Sequence, residues 1–211
     1  MFVRELWRYP VKSMGGEPLD ECAFTLAGIP GDRVVHVEDA RGRVMTSRSK
    51  PRLLLHHGSL DALGEALVDG RPWRDPGVAL DVRAAAGETA RLVPAIGLER
   101  FDVLPLLVAT DGALDALGYD ARRFRANLII GGVAGFAERT WEGRRLAVGA
   151  AEIAAVDLRA RCIMTTFDPE TAEQDVEVLK RIHRELEGTF ALNCRVVTPG
   201  LVRVNDPVRL L

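Results

Sequence analysis

The sequence predicts an α+β fold that is mainly β-sheet. Short runs of apolar and β-branched residues recur along the 211 residues, and many of the 20 glycines and 11 prolines fall between those runs. Only one long segment, near the C-terminus, has a clear helical spacing of apolar side chains. The 47% hydrophobic content is enough for a sizeable core, in one large domain or two closely packed small ones.

In the first half of the chain, turn signals follow almost every apolar run. The predicted strands are residues 2–9, 22–26, 33–38, 43–46, 52–57, 78–82 and 89–93. A helix is predicted near residues 60–68, although Gly64 weakens it. The proline- and glycine-containing passage from Pro94 to Pro105 is the predicted boundary, which divides the chain into domains of residues 1–93 and 94–211.

The second half adds the helical signals. Thr110 or Asp111 can cap a short helix that ends at Gly118, and the helix over 173–186 carries acids before it and basic residues near its end. Asp168 and Pro169 are predicted to start a helix after a strand. The predicted strands are residues 125–130, 145–148, 151–156, 161–165, 195–198 and 208–211.

Composition excludes several classes of function. The formal net charge is −2, from 28 basic and 30 acidic residues, so no overall field favours nucleic acid or a membrane surface. No apolar run approaches the length of a membrane span, and the N-terminus has no signal-peptide core, so a cytoplasmic location is expected. Three cysteines without a Cys-x-x-Cys pair disfavour both a disulfide framework and a structural zinc site.

Cys162 is the most informative single residue. A lone cysteine is most often a small apolar residue of the core. Cys162, however, follows Arg161 and precedes the predicted strand-to-helix junction at Asp168, where a pocket can open at the rim of a sheet. Arg161 would face the opposite side of a strand. No histidine lies near Cys162 in sequence, so a nucleophilic Cys-His pair has no support.

Several basic residues are candidates for an anion site. Lys12 and Ser13 lie on a turn that leads into two glycines and can bind phosphate, although a solvated turn explains them equally well. Arg33 and Arg48 flank a predicted hairpin, and the guanidinium of Arg33 can bind phosphate or form a surface ion pair with Asp32 or Glu38.

A second basic cluster spans residues 122–125. It concentrates three arginines before an apolar strand, and Asn127 would face the same side as Arg125 if both lay in that strand. The cluster indicates either an anionic ligand or a basic edge that prevents strand-to-strand aggregation.

Taken together and in order, these motifs resemble the MOSC family. The motifs are Tyr-Pro-Val-Lys-Ser, Gly-Asp-Arg, Thr-x-Arg-x-x-Pro-Arg-Leu, Arg-Phe-Arg-x-Asn and Arg-Cys-x-x-Thr-Thr-x-Asp-Pro, and they span nearly the whole chain. The resemblance implies a MOSC-type β-barrel with a few helices, packed on a smaller N-terminal β domain. Ala126 and Ala160 stand where relatives often carry proline and serine.

The same resemblance implies the roles of individual residues. Cys162 matches the cysteine whose thiolate binds molybdenum beside molybdopterin, and a soft thiolate suits such a metal. Lys12, Ser13 and Arg33 match phosphate-binding residues, and Arg125 and Asn127 match pterin contacts. The full cofactor-binding set expected here is Lys12, Ser13, Arg33, Arg48, Thr110, Asp111, Arg125, Asn127 and Arg161.

The function implied by the resemblance is a molybdenum-cofactor oxidoreductase. Members of the family reduce N-hydroxylated compounds, and the expected protein is a cytoplasmic monomer that receives electrons from separate proteins. One alternative is a carrier of the cofactor or of sulfur, which would use Cys162 as a persulfide or transient ligand. Another is a non-catalytic barrel that binds a different small anion or a protein.

Overall fold

The computed structural model describes the backbone of residues 1–211 and every side chain except that of Glu99. Strands dominate, as the sequence predicts. They are β1 Phe2–Arg8, β2 Glu17–Leu19, β3 Glu21–Phe24, β4 Val35–Glu38, β5 Val44–Met45, β6 Gly58–Leu60, β7 Ala66–Val68, β8 Arg71–Pro72, β9 Arg91–Pro94, β10 Leu106–Thr110, β11 Leu128–Gly131, β12 Arg145–Val148, β13 Ala151–Ala160, β14 Thr189–Thr198, β15 Gly200–Arg203 and β16 Val208–Leu210.

The helices are few and short. The α-helices of the described chain are α1 Pro76–Ala86, α2 Asp111–Leu117 and α3 Val176–Leu186. Single turns of 3₁₀-helix occupy Pro51–Leu55, Leu98–Arg100, Ala121–Phe124, Ala137–Thr140 and Ile163–Thr166. None of the described helices is long and apolar enough to cross a membrane.

One mixed sheet of eight strands forms the centre of the molecule. Its order is β16-β12-β13-β14-β10-β11-β1-β2. The neighbours β10 and β11 are parallel, and every other neighbouring pair is antiparallel. The apolar side chains of this sheet pack into the largest hydrophobic core, which includes the fully buried Leu106, Leu128 and Leu192.

The expected closed barrel is not confirmed, because the described ladder ends at β2 and β16. The chain just before β16 nevertheless reaches β1 through an isolated bridge between Phe2 and Pro207. The amide of Val3 donates to the carbonyl of Asp206 at 2.9 Å. The amides of Val208 and Asn205 likewise donate to the carbonyls of Met1 and Val3, so three backbone hydrogen bonds join the start of β1 to the segment before and at β16.

Three small sheets surround the large one. They are β3–β15, β5-β4-β9 and β6-β7-β8. The last two enclose a separate core with α1, which includes the fully buried Val37, Val68 and Val82. Strands from both halves of the chain pair in β1–β11 and in β3–β15. The division at residues 93 and 94 remains a prediction.

The strand predicted around Val78 is wrong, because this segment is part of α1. Asp75 caps the helix by accepting hydrogen bonds from the amides of Gly77 and Val78, and a proline occupies the first turn. Val78, Val82 and Ala86 are buried at a spacing of four residues, which places them on one face of a helix. The helix cap at Asp75 therefore determines the local structure, although the β-branched valines favour a strand.

Two further segments differ from the prediction. The helix expected near residues 60–68 is the hairpin of β6 and β7, with Gly64 at φ +83° in the turn. The strand expected over 52–57 is mostly the 3₁₀ turn that Pro51 opens. Proline and glycine determine local structure at both places.

The segment around Cys162 also differs. β13 ends at Ala160, and a 3₁₀ turn replaces the strand predicted over 161–165. Asp168 accepts hydrogen bonds from two following backbone amides and closes a turn instead of starting a helix. The helix begins at Val176, capped by Asp175. The helix predicted after Thr110 is confirmed: Thr110 caps α2, and Gly118 ends it in the left-handed conformation.

We predict that Gly112→Ala destabilises the fold. A Cβ atom at residue 112 would lie 2.1 Å from the carbonyl oxygen of Val133 and 2.6 Å from the amide nitrogen of Gly135, and both are backbone atoms that cannot simply rotate away. We expect the free energy of unfolding, measured by urea denaturation, to fall by about 2–4 kcal/mol. Asp115→Ala, on an exposed position of the same helix, is the control and should change it little.

Candidate functional site

One pocket contains most of the residues predicted to form a site. It lies between the loop after β1, the loop before β10 and the end of β13. Seven of the ten predicted site residues line it, namely Lys12, Ser13, Arg33, Arg48, Arg125, Arg161 and Cys162. Arg123 and Arg159 add two further guanidinium groups, so seven lining side chains are cationic. Among the described residues that line the pocket, Asp102 is the only one with a carboxylate.

Three of these pocket residues have an unusual backbone. Ser13, Arg33 and Arg125 have φ values of +73°, +54° and +56°, in the left-handed region that favours glycine. Each such residue costs about 1–2 kcal/mol and persists only where the surrounding structure imposes it. Conformations of this kind concentrate at binding and catalytic sites. Five further residues of this kind lie outside the pocket, so the three pocket residues support a site only together with its charges; the five are Asp69, Ala172, Glu187, Ala191 and Asn205.

Arg125 is buried beneath the pocket. It follows the 3₁₀ turn and precedes β11, so the strand predicted over residues 125–130 is present but begins only at Leu128. Its Nη1 donates to the carbonyl of Met14 at 2.5 Å, and its guanidinium lies 4.2 Å from the ring centre of Tyr9. Burial lowers the pKa of Arg125 to about 10. Its charge is therefore held with a carbonyl and an aromatic face as neighbours, and without a direct carboxylate partner in the described contacts.

Arg161 is the second cation of this kind. Its Nη2 donates to the carbonyl of Phe124 at 2.9 Å, but its Nε is buried without a hydrogen-bond partner. Burial, followed by the charge of Arg159, lowers the pKa of Arg161 to about 10. Among the described side chains, the only other buried polar atom without a hydrogen-bond partner is Ser47 Oγ, in the residue before Arg48. Both atoms belong to segments that line the pocket, where a polar ligand would satisfy them.

Asp102 connects three cations at the pocket. Its Oδ1 accepts from Lys12 Nζ at 2.7 Å, and its Oδ2 accepts from Arg48 at 2.5 Å and from Arg159 at 3.4 Å. Burial alone would raise the pKa of Asp102, but the hydrogen bond and charge of Lys12 and the charges of the two arginines lower it. Asp102 therefore remains ionised in this setting.

Cys162 opens onto the same pocket. It precedes the 3₁₀ turn with an extended backbone, and its carbonyl accepts hydrogen bonds from the amide and hydroxyl of Thr165. Burial lowers the pKa of Arg48, but Asp102 and then the Cys162 thiol raise it, and the net shift is upward. Arg48 and Cys162 both line this pocket.

The other two cysteines differ in their surroundings. Cys22 and Cys194 are buried in the core of the large sheet. Burial raises the pKa of both thiols, that of Cys22 to about 12. Cys162 is thus the cysteine with a partly exposed thiol beside charged groups, and the other two pack as apolar residues.

Asn127 lies behind the pocket rather than in its lining. Its side-chain oxygen accepts from the amide of Leu107, and its Nδ2 donates to the carbonyl of Trp7 and to Asp32. Asp32 is fully buried and pairs with Arg33, which does line the pocket. Asn127 therefore fixes the carboxylate that holds Arg33. The two interpretations of Arg33 coexist, because it is both an ion-pair partner and a wall of the pocket.

Thr110 and Asp111 are not among the pocket residues. The hydroxyl of Thr110 caps α2 and donates to Glu138 at 3.0 Å. Asp111 accepts from the amides of Gly132, Val133 and its own neighbour Gly112. Burial opposes the effect, but these three amides lower the pKa of Asp111. Both side chains are engaged in holding the loop after β11 against α2.

The basic cluster divides between two environments. Arg122 pairs with Asp120 and Glu170 away from the pocket, whereas Arg123 lines the pocket and pairs with Asp168. Sequence reasoning missed the pocket positions of Arg123, Arg159 and Asp102. Arg159 had a usable signal, since it lies two residues before Arg161 near the same strand end. Asp102 had none, because it belongs to an irregular loop.

Comparison with known proteins covers nearly the whole chain. The family described as MOSC N-terminal beta barrel domain matches residues 1–95, and the family described as MOSC domain matches residues 108–209. Human mitochondrial amidoxime-reducing component 1 is 28% identical over 99% of this chain and 82% of its own length. Human mitochondrial amidoxime reducing component 2 is also 28% identical, over 98% of this chain and 82% of its own length.

A solved structure supports the fold. The crystal structure of the YUAD protein from Bacillus subtilis matches 99% of this chain and 93% of its own with a TM-score of 0.51. Its sequence identity to this chain is 15%, so the likeness concerns the fold alone.

We predict that Arg161→Met leaves the ligand-free protein about as stable as the wild type while it weakens anion binding. The lost bond to Phe124 contributes about 1 kcal/mol, and removal of a desolvated cation with an unpaired N–H offsets that loss. Inorganic pyrophosphate should raise the melting temperature of the wild type, and the rise should shrink in the variant. An unchanged response to pyrophosphate would contradict the role of Arg161. Arg209→Met, at an exposed arginine of β16, is the control.

Proposed function

The chain belongs to the MOSC domain family, and we propose that its cationic pocket binds molybdenum cofactor with Cys162 as a ligand of the metal. The observation that carries the proposal is a partly exposed cysteine in the lining of a pocket with seven cationic side chains. Molybdopterin suits such a pocket, because it carries a phosphate and the sulfurs that bind the metal. A thiolate is a ligand of the matching softness.

The residues present fit this group. Arg125 and Arg161 are desolvated cations with carbonyl partners, and the Nε of Arg161 lacks an acceptor. An anionic ligand rich in acceptors would compensate both features. Lys12, Ser13 and Arg33 would bind its phosphate, since a lysine, a hydroxyl and a guanidinium all line the pocket.

The remaining predicted residues would act less directly. Arg48 lines the same pocket as Cys162 and would favour a negatively charged group there. Asn127 would support the site through Asp32 and Arg33. Thr110 and Asp111, which hold α2 and the loop after β11, would matter for the fold more than for the cofactor. Ala160, which lines the pocket, offers no side-chain hydrogen bond to it.

The proposed activity is reduction of small N-hydroxylated compounds. The relatives with the printed name of amidoxime-reducing component suggest this substrate class. Reduction of an amidoxime consumes two electrons and two protons, breaks the N–O bond and releases an amidine and water. When bound, molybdenum cofactor supplies two-electron redox chemistry, and the pocket residues would bind and orient it. A separate electron-transfer protein would deliver the electrons to a cytoplasmic, monomeric enzyme.

The second candidate function is a carrier of the cofactor or of sulfur. The exposure of the Cys162 thiol favours it equally, because persulfide formation and transfer require access to the sulfur. The two candidates share the same pocket and differ only in whether reduction follows binding.

We predict about one molybdenum per chain when the protein is expressed in a host that makes the cofactor. Cys162→Ser should lose most of the metal, because a hydroxyl is a poor replacement for a soft thiolate. Inductively coupled plasma mass spectrometry measures the content. Cys22→Ala removes a thiol outside the pocket and should keep it. Wild-type protein with its thiol intact and no molybdenum would refute the proposed function.

We also predict that chemically reduced, molybdenum-loaded protein converts benzamidoxime to benzamidine, as liquid chromatography can measure. Cys162→Ser should abolish this conversion, and Cys22→Ala should retain it. If the wild type is inactive, and mass spectrometry finds a persulfide on Cys162, the carrier function replaces the enzyme.

A further inference from the structure

We propose that Asp102 is a positioning residue for phosphate binding, and that its carboxylate holds Lys12, Arg48 and Arg159 in the arrangement that receives an oxyanion. The inference rests on the proposed cofactor pocket and names how that pocket prepares its cations. It concerns only oxyanion binding, so it is testable on protein without metal.

The contacts of Asp102 join three distant parts of the chain. Lys12 follows β1, Arg48 follows β5, and Arg159 lies near the end of β13. One carboxylate oxygen accepts from Lys12 at 2.7 Å, and the other accepts from Arg48 at 2.5 Å and Arg159 at 3.4 Å. Three cations this close repel one another, so a shared carboxylate between them opposes their separation.

The carboxylate is itself held in place by its neighbours in sequence. Arg100 donates to the carbonyls of Asp32, Gly97 and Ala27 at 3.0, 2.9 and 3.1 Å. Phe101 is buried, and the guanidinium of Arg100 lies 4.5 Å from the centre of its ring. These contacts fix the backbone immediately before Asp102. The position of Asp102 is therefore a property of the fold rather than of a freely moving loop tip.

The three cations keep donors for a ligand. Among the described hydrogen bonds, Lys12 Nζ uses two of its three N–H groups, on Asp102 and on the carbonyl of Arg100. Arg48 and Arg159 each use one side-chain donor on Asp102, out of five. The carboxylate thus orders the cations without consuming most of their hydrogen-bonding capacity.

The direction in which Asp102→Asn changes the affinity for an oxyanion distinguishes a positioning role of Asp102 from a purely electrostatic one. Asp102→Asn removes a negative charge from a site for anions, so electrostatics alone predicts tighter oxyanion binding. If Asp102 orders the three cations, the same change releases them and weakens binding, because each must then be ordered by the ligand. If the carboxylate merely occupies the phosphate position, Asp102→Asn binds the oxyanion more tightly. If the carboxylate positions the cations, Asp102→Asn binds it more weakly.

The experiment is calorimetric titration of inorganic pyrophosphate into the full chain, produced in a host without molybdopterin synthesis and kept at constant ionic strength. We expect Asp102→Asn to bind about tenfold more weakly than the wild type. Asp102→Glu keeps the charge but moves it by one methylene, and should bind about threefold more weakly. Glu65→Gln removes an acid that pairs with Arg74 outside the pocket, and should bind as the wild type does.

Three outcomes overturn the inference: no binding to the wild type, equal or tighter binding by Asp102→Asn, or equal or tighter binding by Asp102→Glu. The glutamate variant keeps the test decisive even if the asparagine variant does not fold. Wild-type protein that contains no molybdenum after expression in a cofactor-making host would refute the proposed function. The pyrophosphate result would still stand. A failed pyrophosphate titration beside normal molybdenum content would refute only the role of Asp102.

Discussion

The concentration of positive charge in one pocket is the constraint on which the rest of the site depends. Arg125 and Arg161 are desolvated enough that burial lowers the pKa of each to about 10, and both rely on backbone carbonyls as partners. A buried cation without a direct counter-ion is unfavourable for folding. Two such cations, and the Nε of Arg161 without a hydrogen-bond partner, therefore support the proposal that the pocket binds an anionic ligand.

The cations are held in place by neutral and acidic groups behind them. Asp32 is fully buried, pairs with Arg33, and accepts hydrogen bonds from the amide of Tyr9 and the side chain of Asn127. Asn127 in turn bonds the backbones of Trp7 in β1 and Leu107 in β10, the two strands on either side of β11 in the large sheet. The orientation of Arg33 therefore follows from sheet register, and a change in the sheet would move the pocket wall.

Local structure could be predicted from the sequence where a residue type has one dominant structural use. Positions that depend on contacts between distant parts of the chain could not be predicted. Thr110 and Gly118 bounded a helix correctly, because a hydroxyl cap and a left-handed glycine act locally. Seven of the ten predicted site residues meet in one pocket, since the motifs were taken together. The segment around Val78 was misjudged from its β-branched residues, although Asp75 before it was a cap signal. Asp102 could not be found, because only the folded chain brings it to Lys12.

Three pocket residues with a left-handed backbone link local conformation to the candidate site. Ser13, Arg33 and Arg125 adopt positive φ without being glycine, so each stores conformational strain at the pocket. Glycine would remove the strain but would also remove the hydroxyl or guanidinium that faces the pocket. The chain therefore keeps a functional side chain where the backbone alone would favour glycine. Together with two buried cations that lack carboxylate partners, this strain supports the proposal that a bound ligand, rather than folding, determines these positions.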